Sequence, residues 1–225
     1  MMGMKRFLGM GAVASIAISG FLAIPFAPPA LAEDSALGPL TTIAKWHDDI
    51  PGGTKYRIPA LTQAPNGDLL AIYDMRPSQD DLASNIGVVM RRSKDDGATW
   101  GPVQTIRYET GKRGNGDPSV LVDRKTGRIF VFYAGTENQG LSGASAGNKA
   151  TDPNTMQVVY SYSDDNGATW QHRNITAETK PANWAGIFAA SGEGIQLRSP
   201  AHEGRLIQQL SLIHISEPTR RYAIS

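Results

Sequence analysis

One short segment of this chain occurs twice, and the repeat limits the folds that the chain can adopt. Residues 93–100 read SKDDGATW and residues 163–170 read SDDNGATW, so both fit the pattern S-x-D-x-G-x-T-W. Asp and Asn bond to their own backbone and Gly adopts positive φ, so the pattern predicts a tight turn. Thr-Trp then begins a strand. Because apolar runs precede both copies, at 86–90 and 156–160, the sequence predicts two β-hairpins in a repeated unit.

Strand patterns fill the chain after residue 33 in successive rounds, and helical periodicity is weak. The first round is predicted at 56–61, 69–74, 86–92 and 100–107. The second is predicted at 119–123, 129–134, 156–162 and 170–175, and a third begins with 194–197 and 205–210. Four antiparallel strands, with the repeated turn between the third and fourth, are typical of a β-propeller blade.

We therefore predict an all-β fold with about two and a half blades of a propeller. Propellers close with about 4–8 blades, so these rounds cannot complete a ring by themselves. A β-sandwich is the alternative, because it also uses short strands with frequent turns.

The amino terminus has the pattern of a secretory signal peptide. Lys5 and Arg6 precede an apolar run at 7–27, and the segment 28–32 (PPALA) resembles a cleavage site. We expect a signal peptide at 1–32 and a secreted protein that is not stably inserted in a membrane after cleavage. A membrane anchor is the alternative, but prolines interrupt the run before about 20 apolar residues accumulate.

The composition excludes several classes of protein. The chain has no Cys, which excludes a disulfide scaffold and a lipoprotein. The net charge is +1 and the basic residues are scattered, which argues against a nucleic-acid partner. The His residues lack metal-binding spacing, so neither a metal nor a cofactor is expected. We expect the propeller portion to occupy 33–210. Residues 211–225 follow no blade pattern and are expected to be an artefactual or a divergent tail.

Four further motifs give a more specific indication. They are YRIP at 56–59, YDMRP at 73–77, DPS at 117–119 and SGEGIQL at 191–197. Together with the two repeated turns, they resemble the amino-terminal half of bacterial exo-α-sialidases (neuraminidases) of the Asp-box propeller family. The resemblance implies a six-bladed propeller, monomeric at full length, that is a glycoside hydrolase. Its expected substrates are glycoproteins, glycolipids or oligosaccharides with terminal α-linked sialic acid, which it releases with retention.

The resemblance assigns two arginines to substrate binding. Sialic acid carries a carboxylate on its anomeric carbon, and a planar guanidinium binds a carboxylate with two charge-assisted hydrogen bonds. Arg57 corresponds to one of three Arg residues that hold this carboxylate in the family, and Arg76 to a residue near the carboxylate and the 4-hydroxyl. Because Pro59 restricts the residue before it, we expect extended backbone at this motif.

Two acidic residues are candidates for contacts with the rest of the sugar. Asp117 is expected to occupy, in the second round, the position that Arg57 has in the first. The family places an Asp there, near the N-acyl group or neighbouring ring substituents; a turn residue before proline is the alternative. Glu193, at the start of the third round, would orient the glycerol side, and a structural role is the alternative.

The resemblance also implies a Tyr nucleophile with a Glu partner, an exception among glycosidases. The acid/base is an Asp in the loop after Arg76. Asp81 lies at the family's offset from Arg57, and Asp80 is the alternative. In the family, the nucleophile and the other two Arg residues lie on later blades, so this chain is expected to be inactive alone. The alternative function is a non-catalytic secreted Asp-box propeller that binds glycans or proteins, but such a scaffold needs neither Arg57 nor Asp81.

Overall fold

The first round of strands forms one antiparallel sheet. The computed structural model describes residues 40–45 and 55–213. The sheet has the order β1-β2-β3-β4 and consists of β1 (Lys55–Gln63), β2 (Leu69–Arg76), β3 (Gly87–Ser93) and β4 (Gln104–Arg107). The four predicted strands are confirmed, although β4 begins later than expected. The Gly101 N–H donates to the Arg92 carbonyl oxygen at 2.8 Å. Pro102 has no N–H to continue the hydrogen bonding of the sheet, so the regular strand starts after it.

The second round repeats this meander. Its strands are β5 (Gly114–Val122), β6 (Ile129–Thr136), β7 (Gln157–Ser163) and β8 (Gln171–Asn174), again in sequential order. The predicted strand at 119–123 is too short, because β5 begins at Gly114. The segment GNGDP at 114–118 reads as a loop by composition, yet residues 114–116 pair with 134–136 of β6.

The third round departs from the prediction. It contains β9 (Gly186–Ala189), β10 (Gly192–Glu193), β11 (Ile195–Gln196), β12 (Leu206–Ile207) and β13 (Leu210–Ile213). Only β11 and β12 form the expected hairpin, while β10 lies parallel to β5 and β13 pairs with β9. The strand β13 includes residues 211–213, at the start of the segment for which no blade pattern is expected.

Within residues 40–45 and 55–213, helical structure is limited to one turn, α1 (Thr176–Thr179), and two short 3-10 turns, Leu141–Gly143 and Pro200–His202. The described part of the chain is therefore all-β, as predicted. None of its helices is long and apolar enough to cross a membrane. The predicted signal peptide at 1–32 and residues 214–225 of the predicted tail lie outside the described residues.

The repeated segment is a hydrogen-bonded turn in both sheets. In the first copy, Ser93 Oγ donates to Asp95 Oδ1 at 2.7 Å and accepts the Gly97 N–H at 2.8 Å. The Thr99 N–H donates to Asp95 Oδ1 at 2.8 Å. The second copy makes the same bonds with Ser163, Asp165, Gly167 and Thr169. The two Asp carboxylates are thus part of the turn structure.

The main core lies between the two sheets. Buried side chains of β2 and β3, among them Leu70, Ile72 and Met90, belong to one cluster with Val120 and Val131 of the second sheet. The opposite face of β2 is buried as well, in a second cluster that contains Ala71, Tyr73, Met75 and Val89. Because β2 is covered on both faces, a polar side chain at its end must find partners inside the protein.

Replacing Asp165 by Asn is expected to lower the melting temperature. The hydrogen bonds from Thr169 and Ser163 hold the pKa of Asp165 well below its usual 3.8. A lowered folded-state pKa contributes stability above about pH 4 that is lost as the pH falls. The gap between Asp165→Asn and wild type, measured by thermal unfolding, should therefore narrow in acid.

Asp164→Asn is the matched control for this experiment. Asp164 pairs with Arg128 at 2.7 Å, and both side chains are exposed. Exposed ion pairs contribute little to stability, so this variant should unfold close to the wild-type temperature. Equal losses in the two variants would contradict a special role of Asp165.

Candidate active site

A buried arginine at the end of β2 organises a cluster of charged residues. Asp74 and Arg76 are two positions apart on the strand, so their side chains lie on the same face of the sheet. Their side chains are 0% and 1% exposed. Arg76 donates to Asp74 Oδ2 from Nη2 at 2.6 Å and from Nε at 3.1 Å. The fork is thus fixed by a carboxylate of its own strand.

The remaining contacts of Arg76 reach the loop after β2 and the second sheet. Its Nη1 donates to Asp81 Oδ1 at 3.1 Å and to the Asp80 backbone carbonyl at 3.3 Å. Its Nη2 lies 3.9 Å from Asp117 Oδ1. Arg76, Asp81 and Asp117, three of the predicted site residues, are therefore brought together.

Arg57 lies beside this cluster on β1. It is the register partner of Asp74, and directly opposed residues point to the same face of a sheet. Its side chain is exposed, and its charge lowers the pKa of Asp117. The guanidinium of Arg57 thus acts on the same cluster from the solvent side.

The backbone after Arg57 differs from the expected extended form. Ile58 has φ +53°, and the register shifts between Arg57 and Ala60. Positive φ is a genuine outlier for a β-branched residue. The shift re-aims the strand next to Arg57, as bulges near functional sites commonly do.

Asp117 shows the same irregularity in the second sheet. It has φ +59°, it precedes a proline, and the register shifts between Gly116 and Ser119. Asp117 therefore corresponds to Ile58 and not, as expected, to Arg57, whose equivalent is Gly116. The prediction is one residue off because it aligned Arg57 with Asp117, whereas the prolines at 59 and 118 place Asp117 level with Ile58.

The Asp117 carboxyl is partly buried, with 20% of its side chain exposed. Burial raises its pKa and the charge of Asp81 adds to this, while Arg76 and Arg57 act in the opposite direction. The Asp117 N–H donates to Asp74 Oδ1 at 3.0 Å. Backbone and side chain of Asp117 thus both belong to the cluster.

The two adjacent acids of the loop differ in their contacts. Asp81 is 67% exposed, and its Oδ1 accepts from Arg76 and from the Leu82 N–H at 2.9 Å. The Asp80 carboxylate instead accepts from Ser78 Oγ at 2.7 Å. The structure brings the side chain of Asp81 into the cluster and leaves that of Asp80 outside it.

The loop that carries Asp81 is held by the second sheet. Leu82 packs against the buried cluster of Ala134, Ala144 and Met156. A Cβ atom at Gly114 would collide with the Ser84 carbonyl, and one at Gly140 with the Leu82 carbonyl. Because these glycines have no side chains, the backbone of the loop can lie directly against them. This role was not predicted from the sequence.

Glu193 is not brought to this cluster. It lies in β10, and its Oε1 is 3.4 Å from Thr62 Oγ1. Thr62 belongs to β1 but stands further along the strand from Arg57. Glu193 lines a separate groove of about 400 Å³ together with Arg124 and Arg198.

Asp74 is the member of the cluster that sequence reasoning missed as a site residue. Burial raises its pKa to about 7, although Arg76 and the Asp117 N–H favour the charged form. The D-x-R spacing on an apolar strand, with Asp74 opposite Arg57, is a signal that could have identified it.

The cluster offers two guanidinium groups and an exposed carboxylate at one end of the two sheets. Such an arrangement can bind an anion and exchange a proton beside it. Across 40–45 and 55–213, no group of three or more His, Asp or Glu residues is arranged to hold a metal ion.

The raised pKa of Asp74 predicts a pH dependence of stability. A carboxyl whose folded-state pKa exceeds its usual 3.8 loses its contribution as the pH rises through the folded value. The free energy of unfolding should therefore fall between about pH 4 and pH 7 more steeply in wild type than in Asp74→Asn. Urea unfolding across this range measures both slopes, and parallel slopes would contradict the shift.

The chain resembles known proteins over most of the described region. Residues 58–207 match the family described as BNR repeat-like domain. The chain is 47% identical over 167 residues to a sialidase of Micromonospora viridifaciens, and 35% identical over 153 residues to a sialidase of Bacteroides fragilis. These alignments cover 72% and 63% of this chain but only 26% and 28% of the relatives. The chain thus spans about a quarter of their length.

Solved structures show the same similarity. A Hadza microbial sialidase matches with a TM-score of 0.65 and 34% identity, over 71% of this chain and 32% of that one. The leech intramolecular trans-sialidase matches with a TM-score of 0.69 over 79% of this chain and 43% of that one. At 17% identity, the second match concerns the fold alone.

Proposed function

Because this chain belongs to the BNR repeat-like domain family, as a member of the bacterial Asp-box sialidases, we propose that it forms the amino-terminal part of a secreted exo-α-sialidase. The enzyme hydrolyses terminal α-linked sialic acid of glycoproteins, glycolipids or oligosaccharides, with retention. In this proposal, residues 1–32 are the signal peptide and 33–210 supply about two and a half blades of a six-bladed, monomeric propeller.

One observation supports this proposal above the others. The buried Arg76 guanidinium lies between Asp74, Asp81 and Asp117, with Arg57 on the facing strand. A purely structural blade does not need this arrangement, since the second sheet forms the same strands without it. Relatives of this chain from Micromonospora viridifaciens and Bacteroides fragilis are sialidases.

Each residue of the cluster has a distinct role in the proposed reaction. Arg57, exposed at the rim, binds the substrate carboxylate with its guanidinium fork. Arg76, held from below, orients the sugar near the same carboxylate. Asp117 faces the ring substituents from the second sheet. Asp81, exposed in its loop, protonates the leaving oxygen and later removes a proton from water.

The remaining catalytic groups are proposed to lie outside this chain. The Tyr nucleophile, its Glu partner and two further Arg residues belong to later blades in the family that the motifs resemble. We therefore propose that the chain alone does not turn over sialosides. Glu193 has no role in the proposed site, because its contact with Thr62 lies away from the cluster.

The proposal is tested with a fluorogenic sialoside and the complete protein that contains this chain. Arg57→Ala should lower kcat/KM by roughly 10- to 100-fold, because hydrogen bonds to a charged group contribute about 1.5–3 kcal/mol. Arg128→Ala removes an exposed Arg that pairs with Asp164 far along the sheet, and it should leave turnover unchanged.

A complete wild-type protein that releases no sialic acid would overturn the enzymatic proposal. If that inactive protein still bound sialylated glycans, and Arg57→Ala abolished the binding, the alternative of a non-catalytic glycan-binding propeller would replace it.

Asp81 and Asp80 can be separated by leaving-group chemistry. Asp81→Asn should reduce kcat about 100-fold or more on a sialyl-lactose substrate, because general acid catalysis contributes about 10²–10⁴-fold. The loss should be smaller on an aryl sialoside, whose leaving group needs less protonation. Asp80→Asn is the matched control, and a loss that follows Asp80 with the same leaving-group dependence would reassign the acid.

A further inference from the structure

Asp74 is bonded through both of its oxygens to groups of the proposed site. Its Oδ2 accepts from Nε and Nη2 of Arg76, and its Oδ1 accepts from the Asp117 N–H. One buried side chain therefore connects the end of β2 in the first sheet with the start of β5 in the second. Both oxygens of Asp74 act as acceptors at once, which the amide group of an Asn side chain cannot reproduce.

The bond to Asp117 fixes a strained part of the backbone. Asp117 has φ +59° at the register shift of β5. A non-glycine residue remains in such a conformation only where its surroundings determine it. The Asp74 carboxylate, acting from the neighbouring sheet, is one such determinant.

A comparison of equivalent positions in the two sheets shows which residues the fold requires and which are particular to the candidate site. In the first sheet, Arg57 pairs with Asp74 next to the register shift. At the same place in the second sheet, Gly116 pairs with Ala134. Since Ala134 also corresponds to Asp74, Thr136 two residues later corresponds to Arg76. The same strands and the same register shift thus form without a buried ion pair.

A buried ion pair is seldom retained for stability alone. Removing two charges from water costs several kcal/mol per ion, and apolar replacements of such pairs are often neutral or stabilising (a general tendency). Asp74 and Arg76 occupy positions where the second sheet has uncharged residues. The pair is therefore better explained by what it positions.

We propose that Asp74 is the positioning residue of this site, which holds the Arg76 guanidinium and the Asp117 backbone in the arrangement that accepts the substrate. The inference rests on the proposed function. Without Asp74, the described hydrogen-bond acceptors of Arg76 are Asp81 and the Asp80 carbonyl. Both belong to the loop, so the guanidinium would follow the loop and Asp117 would lose its acceptor.

A double-mutant cycle on kcat/KM tests whether Asp74 acts through Arg76. In the complete protein, Asp74→Asn and Arg76→Ala should each lower kcat/KM by at least tenfold. The double variant should lose no more than about threefold beyond Arg76→Ala, because coupled residues are non-additive. Losses that multiply would overturn the proposal.

Asp68→Asn is the matched control for the cycle. It breaks the Asp68–Arg92 ion pair, whose N–O distance of 2.7 Å is close to the 2.6 Å of the Asp74–Arg76 pair, but which lies just before the start of β2. This variant should leave kcat/KM within about twofold of wild type. An equal loss in the control would show that any Asp–Arg pair of the sheet affects turnover, which would also overturn the proposal.

A second readout does not depend on turnover. In ¹⁵N NMR spectra, the Arg76 Nε–H, assigned by its loss in Arg76→Ala, should exchange slowly with water in wild type and at least tenfold faster in Asp74→Asn. Unchanged exchange would overturn the positioning role even in an active enzyme. Faster exchange in a protein without sialidase activity would support that role while the proposed function fails.

A third variant serves where Asp74→Asn does not fold. Asp74→Ala combined with Arg76→Thr installs the residue types that Ala134 and Thr136 provide in the second sheet. This double variant should unfold at a higher temperature than Arg76→Thr alone, which leaves a buried carboxylate without its cation. It should still lose at least tenfold in kcat/KM. A lower unfolding temperature or full activity would contradict the inference.

Discussion

The structure of the candidate site depends on the burial of one guanidinium. Arg76 is 1% exposed, and a cation in that position needs anions and carbonyls around its whole fork. Three elements provide them: β2 itself through Asp74, the following loop through Asp81, and β5 through Asp117. The requirement of a single buried charge therefore aligns two sheets and a loop at one place. Arg57 can remain exposed beside this cluster because the buried residues fix the strand opposite to it.

The two sheets have the same architecture and differ in the residues at the ends of the strands that form the candidate site. Both contain the same hydrogen-bonded turn, the same strand order and the same left-handed residue before proline. The first sheet has Arg57, Asp74 and Arg76 at positions where the second has Gly116, Ala134 and Thr136. The repeated turns are structural, and the chemistry is concentrated at the opposite, non-repeated ends of the strands. This division allows a repeat protein to keep its fold while one unit carries most of the charged residues of the cluster.

Much of the fold could be predicted because its determinants are local. The hydrogen bonds among Ser, Asp, Gly and Thr that close the turns at 93–100 and 163–170 lie within eight residues, so a single motif specifies them. The pairing of β13 with β9 joins two short segments that lack alternation, and no local pattern indicates it. The strand β5 begins early because glycines that read as a loop pair with β6 through a register shift.

The candidate site could be predicted in part for the same reason. Arg57, Arg76 and Asp81 stand in motifs of short range, and the structure places them together with Asp117. Asp74 was missed because an acidic residue within an apolar strand gives no functional motif by itself. Its spacing of two residues from Arg76 nevertheless places both side chains on the same face of the strand. The position of Glu193 depends on how the third round packs on β1 and β5, which spacing along the chain does not determine.

The anchoring of Leu82 has a consequence for how such a site can diversify. The position of the exposed Asp81 carboxylate is determined by the residue that follows it. The Leu82 side chain packs against the neighbouring repeat and thereby fixes the position of the whole loop. Changes in the length or packing of the 135–154 segment can therefore shift the Asp81 carboxylate relative to the arginines without altering any charged residue of the cluster. Variation in site geometry among related proteins can thus originate in a glycine-rich segment of the adjacent unit that carries no residue of the cluster.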